Sequence, residues 1–573
     1  MVGEGAVPSD LDPPADFMLS DDSAINIKAG PVDRLSEGFR PYLLLSLLCL
    51  LLYMPGLATV PPLDRDESRF VQATRQMLES GDFVRIQYQN EMRAKKPVGA
   101  YWLQAASVSL FSDASATKLW PYRLPSALAA WAAVLMTFAF GCHLFGRQAA
   151  LLGGALLGSC LMLVLEGHQA KTDAVLLACV VAAQGALART YLGRGGILVA
   201  LAFWLAQGIG ILVKGPIVPM MSLLTIAALV IADRRAGWLV ALRPLTGALV
   251  AVAVAAPWFA AINQATGGTF VDEAIKGDLL PKLLGAHESH GGKPGFYLLL
   301  ASVTFWPASA LAWPALVHAW RQRLKPEVRF CLAWIIPAWI VFELIPTKLP
   351  HYVMPTFPAL ALLTAAAVMQ GAPVLFSRGA KAWYAVWTLV GLTLAVAVVV
   401  APMRLGEGFS LFSVPGALGI AGATLLTVWL ALRGRAHTAA IALVATAACT
   451  FPVLFDGVLP SLEKMWMSRT VAAQVAYIGR AAPVAIAGYS EPSLVFLLGT
   501  DTMITTGSGA AGQLVAAPGS LAVVSSTEEA DFAAAAAKLG YQPIPLAIVK
   551  GFHYSRGKNA ALTIYAKMRE REP

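Results

Sequence analysis

The sequence is short of charge. Only 13% of its 573 residues are Asp, Glu, Lys or Arg, while 57% are hydrophobic. A soluble protein carries roughly 25% charged residues. Half that share cannot cover a globule with polar surface, so the chain reads as an integral membrane protein. Cysteine is scarce as well. Cys49, Cys142, Cys160, Cys179, Cys331 and Cys449 all sit inside apolar runs, and none forms a Cys-x-x-Cys pair. That excludes a disulfide framework and a thiolate metal site, and leaves six small buried hydrophobes. The first forty residues lack the basic start and early apolar stretch of a signal peptide. They are acidic and proline-rich (VPSDLDPPADFMLSDDSA), which predicts a disordered cytoplasmic tail over 1–40 and an uncleaved first membrane helix. Net charge is +9, yet no stripe interleaves basic and aromatic residues, so nucleic acid is not an expected partner. Repeats of 20–50 residues, and the inverted repeats of many transporters, are missing too.

What is present is a long succession of apolar runs. A membrane helix needs about 20 mostly apolar residues. Thirteen segments qualify, near 41–60, 122–145, 149–167, 172–192, 196–213, 215–232, 239–261, 295–319, 329–346, 351–370, 382–402, 414–432 and 436–456. Lys and Arg collect in cytoplasmic loops. With the N-terminus inside, those loops hold Arg147; Arg189 and Arg194; Arg234, Arg235 and Arg243; Arg321, Arg323, Lys325 and Arg329; Arg378 and Lys381; Arg433 and Arg435. The short opposite loops hold only Lys171, Lys214, Lys348 and Arg404. An odd number of crossings then puts residues 457–573 outside. There PVAIAGY, SLAVVSS and ALTIYAKM read as short strands, and TEEADFAAAAAKLG as a helix closed by glycine. The expected domains are the tail 1–40, a membrane domain 41–456 with an outer loop 61–121, and a small outer α/β domain 457–573.

The outward segments carry nearly all the unusual polarity. Loop 61–121 opens with Asp64, Asp66 and Glu67 and continues through Lys95, Lys96, Tyr101 and Trp102. Between them SRFVQATRQMLES alternates at helical spacing, which predicts a helix lying at the membrane surface. One acid is enough to cap such a helix, and three are present. GHQAKTDAVLL puts Lys171 and Asp173 at the outer lip of two helices, where a charge is costly. Loop 263–294 carries His287, Glu288 and His290, a spacing able to bind a divalent cation. ELIPTKLPHYVMPTFP offers Glu343, Lys348, His351 and Tyr352 between prolines. Acids, cations and a tyrosine on one side of a membrane suit a ligand with a phosphate on a lipid. Cations would hold the phosphate, and a carboxylate would serve the reacting group.

These residues resemble the first outer loop of the superfamily of aminoarabinose lipid A transferases and protein O-mannosyltransferases, membrane glycosyltransferases of the GT-C fold. The shared pattern is Asp66-Glu67, Arg69, RQMLESGDF, Lys96-Pro97 and Tyr101-Trp102, with TKLPHYVMPTFPALALL resembling a later signature. The resemblance implies a GT-C membrane protein with about thirteen helices, outer surface helices and a C-terminal outer domain. It implies inverting transfer of a sugar from a polyprenyl-phosphate donor to a lipid A or lipopolysaccharide acceptor at the periplasmic face of a bacterial inner membrane. By position Asp66 and Asp173 match the family's acids, and Arg69, Lys96 and Tyr352 match phosphate contacts, with Lys348 beside them. Glu67, Lys95 and Tyr101 are further candidates. The aminoarabinose enzymes have a metal-binding Glu where this chain has Lys95. No cofactor is therefore required by the pattern, although His287, Glu288 and His290 could hold a divalent metal of their own. Transfer to Ser/Thr or another envelope glycan is the alternative. A transporter or scaffold is the remote one, since the helix centres are bland.

Overall fold

The computed structural model describes residues 35–63, 65–281, 292–479 and 482–567. Asp64 and the segment with His287, Glu288 and His290 lie outside the described residues, as does most of the tail. Helical structure underlies all thirteen apolar segments. Among the described residues, seven helices are long and apolar enough to cross a membrane: Trp120–Gly158, Asp173–Tyr191, Ile197–Lys214, Pro244–Thr266, Arg378–Leu405, Ser413–Leu432 and Ala436–Ser461. Arg40–Tyr53, Ile217–Asp233 and Met354–Met369 are shorter apolar helices.

Three expected segments are broken, the one near 239–261 at Arg243, φ 50°, which separates the short turn Gly237–Leu242 from Pro244–Thr266. Gly146, at φ 80°, interrupts Trp120–Gly158 between the segments expected near 122–145 and 149–167. The second of these stops at Gly158 and restarts as Leu161–Gly167. Likewise 295–319 is split into Phe296–Thr304 and Ser309–Arg321, around Pro307, which has no N–H to continue a helix. In lipid, helices associate by close packing of small residues. A Cβ on Gly141 or Gly153 would stand 2.5 and 2.9 Å from the Leu362 side chain, so these glycines let the helices of Trp120–Gly158 approach Phe357–Met369.

The SRFVQATRQMLES pattern becomes the helix Arg65–Ser80, with Asp66 and Glu67 in its first turn, where negative charge favours the positive end of the helix dipole. Its apolar stripe, Phe70, Ala73 and Met77, packs with Tyr101, Trp258, Ile262 and Phe270. Its polar face is buried as well, because the C-terminal domain lies over it. Gln72 Nε2 donates to Thr500 Oγ1 at 2.8 Å, and Arg75 Nη1 to the Phe496 carbonyl at 3.0 Å. The helix is thus enclosed between two layers of protein.

The C-terminal domain is a five-stranded sheet with helices. Its strands are β3 (Ala485–Ala487), β4 (Met503–Thr505), β5 (Ala522–Ser525), β6 (Pro543–His553) and β7 (Lys558–Lys567), in the order β4-β3-β5-β7-β6. β3 runs parallel to β4 and β5, while β7 is antiparallel to β5 and β6. A two-stranded ribbon, β1 (Gln87–Tyr88) and β2 (Glu91–Met92), belongs to the loop 61–121. The three expected strands are β3, β5 and β7, and the expected helix is Glu529–Lys538, followed by Gly540 at φ 78°. β4 and β6 are not legible in the sequence. β4 is only three residues long, and β6 begins with two prolines that read as turn.

Candidate functional site

The site is assembled where the loop 61–121 meets the ends of the membrane helices. Asp66 stands at its centre, 48% exposed, so a ligand can reach its carboxylate. Arg69 Nη1 lies 3.3 Å and Arg93 Nη2 3.5 Å from Asp66 Oδ1. Desolvation pushes the Asp66 pKa upward, but Arg93, Arg69, Lys171 and Lys96 together outweigh it and hold the carboxyl well below its usual range.

Glu67 does different work. Its side chain is fully buried and takes Arg123 at both oxygens, Nε to Oε1 at 2.7 Å and Nη2 to Oε2 at 3.0 Å. It also accepts from Ala170 N–H at 2.9 Å and Leu63 N–H at 2.8 Å. Arg123 donates further to the carbonyls of Leu57, Val60 and Pro61. Glu67 is therefore a positioning residue. It ties the start of Arg65–Ser80 to the helix carrying Arg123 and to the strand of chain that leads into Lys171.

Tyr101 is buried and accepts a hydrogen bond from Arg93 Nε at 3.3 Å, with its ring stacked on Phe70. It holds Arg93 rather than meeting a ligand. Lys96 Nζ donates to the Lys95 carbonyl at 3.0 Å. The two lysines precede the helix Gly99–Phe111. A Cβ on Gly99 would stand 2.8 Å from the Leu212 carbonyl oxygen. Only glycine lets this turn abut the end of Ile197–Lys214.

A second group of charges adjoins the first. Lys214 pairs with Asp173, and Lys171 Nζ lies 3.2 Å from Glu166 Oε1. His351 bridges the two carboxylates, Nδ1 at 3.5 Å from Glu166 and Nε2 at 3.4 Å from Asp173. Lys214 Nζ also lies 5.5 Å from the Tyr352 ring centroid, within cation–π range. Lys171 joins the two groups, since it faces both Asp66 and Glu166. Two buried oxygens in these groups, Glu166 Oε2 and Tyr88 Oη, have no hydrogen-bond partner within the described residues.

The structure thus gathers Asp66, Asp173, Arg69, Lys96 and Tyr352, with Lys95 adjoining. It corrects the phosphate role expected for Lys348. That ammonium is buried and donates to the carbonyls of Phe342, Glu343 and Ile345 at 3.2, 2.6 and 3.1 Å. All three protons are spent closing the end of the helix Pro326–Leu344. Glu343 in turn accepts from the N–H groups of Gly295, Tyr297 and Leu298. Residues the sequence reading did not assign to the site are Arg93, Glu166, Lys214 and Tyr88. Arg93 sits two residues before the Lys95-Lys96 pair in EMRAKK, Glu166 inside an apolar run, and Lys214 in the KGP that divides two helices. Among the described residues no group of three or more His, Cys, Asp or Glu has a metal-binding arrangement.

Comparison with known proteins places this geometry. Residues 95–260 match the family of dolichyl-phosphate-mannose-protein mannosyltransferases. The chain is 29% identical to the undecaprenyl phosphate-alpha-4-amino-4-deoxy-L-arabinose arabinosyl transferase of Aeromonas hydrophila over 333 residues, 56% of this chain and 59% of that one. It is 26% identical to the enzyme of the same name from Yersinia pestis over 367 residues, 62% and 64% of the two chains. These matches span about three fifths of the relatives' length. In three dimensions, ArnT from Cupriavidus metallidurans bound to undecaprenyl phosphate superposes with a TM-score of 0.74 at 18% identity, covering 92% of this chain and 98% of that one. The chain is a multi-pass membrane protein of the GT-C fold, and its sequence is similar to the aminoarabinose transferases over about three fifths of its length.

Proposed function

We propose that this chain is a glycosyltransferase that moves a sugar from a polyprenyl phosphate to a lipid A or lipopolysaccharide acceptor, with inversion at the anomeric carbon. The observation that carries the reading is the ring of Arg69, Arg93, Lys96 and Lys171 around the half-exposed Asp66 at the ends of the membrane helices. The acceptor is an ionised phosphate oxygen, which has no proton to lose; it attacks the anomeric carbon, the bond from that carbon to the donor phosphate oxygen breaks, and the polyprenyl phosphate leaves with the electron pair. Its charge grows from one toward two, and preorganised cations stabilise that growth. Arg69 and Lys96 bind the phosphate, with Arg93 behind them. A carboxylate held so strongly in its charged form is a weak base, so Asp66 orients the sugar or the acceptor. Asp173 and Glu166, spanned by His351 and matched by Lys214 and Lys171, form a polar wall of the site.

The relatives carry undecaprenyl phosphate and 4-amino-4-deoxy-L-arabinose in their names, which supports that donor class. The excess of basic residues in the loops on the opposite side supports a cytoplasmic N-terminus and a periplasmic active site. The rival acceptor is a protein Ser or Thr hydroxyl, favoured by the match of residues 95–260 to the mannosyltransferase family. Purified full-length protein, undecaprenyl phosphate carrying a pentosamine or hexuronate, and lipid A or a Ser/Thr peptide would decide between them. The proposal expects a glycosylated lipid by mass spectrometry and free undecaprenyl phosphate. Turnover on the peptide alone would replace lipid A as the acceptor.

A further inference from the structure

A separate cavity of about 530 Å³ opens where the C-terminal domain meets the end of a membrane helix. It shares no lining residue with the cluster around Asp66. Arg404, Lys464 and Lys550 line it, together with Phe552 and Asn559. Three elements supply the three cations: the last turn of Arg378–Leu405, the single turn Glu463–Met465, and β6.

Two close backbone approaches force them together. A Cβ on Gly406 would stand 2.6 Å from the Ser461 carbonyl oxygen, so the end of the spanning helix lies against the segment leading to Lys464. A Cβ on Gly551 would stand 2.5 Å from the Lys464 carbonyl oxygen, so β6 is laid on that same turn with Lys550 beside it. No carboxylate lines the cavity among the described residues. Arg75, Arg123, Lys171, Lys214 and Arg329 each pair with an acid. Arg404, Lys464 and Lys550 make no ion pair or side-chain hydrogen bond within the described residues. A helix C-terminus accounts for Arg404 alone. It does not account for three like charges converging on a concavity, where their field adds and an anion is attracted.

The surroundings specify the anion. Met403, Phe409, Leu411 and Phe412 are 55–80% exposed at and just beyond the helix end, in the turn joining the spanning helices Arg378–Leu405 and Ser413–Leu432. Exposed apolar and aromatic side chains at such a turn lie in the lipid interface, which sets the three cations at headgroup depth. The volume is within the usual range of a small-ligand site. We propose that Arg404, Lys464 and Lys550 bind the phosphate headgroup of an anionic membrane lipid whose tails remain in the bilayer.

The test is native mass spectrometry of the full chain in neutral detergent, titrated with dioleoylphosphatidylglycerol and with dioleoylphosphatidylcholine. The wild type is expected to retain phosphatidylglycerol in preference. The triple variant Arg404→Ala, Lys464→Ala, Lys550→Ala is expected to lose at least ten-fold in apparent affinity for it, with phosphatidylcholine unchanged. Arg321→Ala, Arg323→Ala, Lys325→Ala removes three exposed cations elsewhere and is expected to stay within two-fold of wild type. Lys464→Glu, a single exposed change, is expected to weaken retention at least three-fold should the triple variant fold poorly. Equal loss in the control triple, undiminished retention in both site variants, or full displacement by millimolar inorganic phosphate would each overturn the assignment, the last in favour of a soluble anion.

Discussion

Arg93 stands between Asp66 and Tyr101, its Nη2 3.5 Å from the Asp66 carboxylate and its Nε donating to the Tyr101 hydroxyl at 3.3 Å. A buried arginine fixed at one end by a tyrosine holds its charge in one place, which is what stabilising a leaving phosphate demands. Arg93→Gln is predicted to lower turnover by roughly 10²-fold, the scale of losing one preorganised donor. Arg69 stays beside the half-exposed Asp66, so melting temperature should shift little. Transfer rates and melting curves on the same preparation check this, and a large melting shift with rate in proportion would count against it.

Glu67 is predicted to behave oppositely to its neighbour. Its carboxylate is the fully buried partner of Arg123, and removing one member of such a pair costs about 3–5 kcal/mol because the other charge is left stranded. Glu67→Gln should sharply reduce the yield of folded protein, whereas Asp66→Asn should leave yield and melting temperature near wild type. Size-exclusion profiles and melting curves of the two variants compare them directly.

That contrast marks what was legible in the sequence. The acids of DRDESR and the lysines of AKKP announced both ends of the site, because unmatched charge beside a membrane helix needs a reason. Division of labour between Asp66 and Glu67 was not legible. It depends on Arg123, which lies in PYRLP at the start of an apolar run and looks like an ordinary boundary residue. Glu166 and Lys214 were hidden the same way, each read as part of a membrane segment or its edge. Lys348 was misread because a buried ammonium satisfied by three carbonyls has the same local sequence as one facing a phosphate. The membrane helices were readable from apolar length, while β6 was not, since its prolines say turn until β7 supplies the pairing.

Stability should follow the pKa displacements of the two acids. Burial alone would raise the Glu67 pKa, but Arg123 and the N–H groups of Ala170 and Leu63 outweigh it, and the net direction is down, as for Asp66. A depressed folded-state pKa gives stability that is present above the unfolded value, about 4, and lost as pH falls through the folded values. Melting temperature is predicted to be level from pH 8 to about 5 and to drop below about 4. A decline beginning near pH 6 would contradict the pairing. Asp66 stays ionised through neutrality, so it cannot be the origin of any loss of activity between pH 5 and 8.

Divalent metal is predicted to be dispensable. Asp66, Glu166 and Asp173 are already matched by protein cations, and Lys95 adds positive charge to the loop. Chelation with EDTA should change turnover by less than about two-fold, against the several kcal/mol that an essential metal supplies. A loss above ten-fold, restored by one divalent ion and absent in a His287→Ala, His290→Ala variant, would instead make those residues its ligands.

The most direct test of sugar transfer is mass spectrometry of lipid A and core lipopolysaccharide from cells lacking this chain, complemented with wild type or with Asp66→Asn. The account predicts that a pentosamine or hexuronic acid mass disappears in the deletion and returns with wild type but not with Asp66→Asn, at equal protein level in the membrane. An unchanged lipid profile in the deletion, or full restoration by Asp66→Asn, would contradict it.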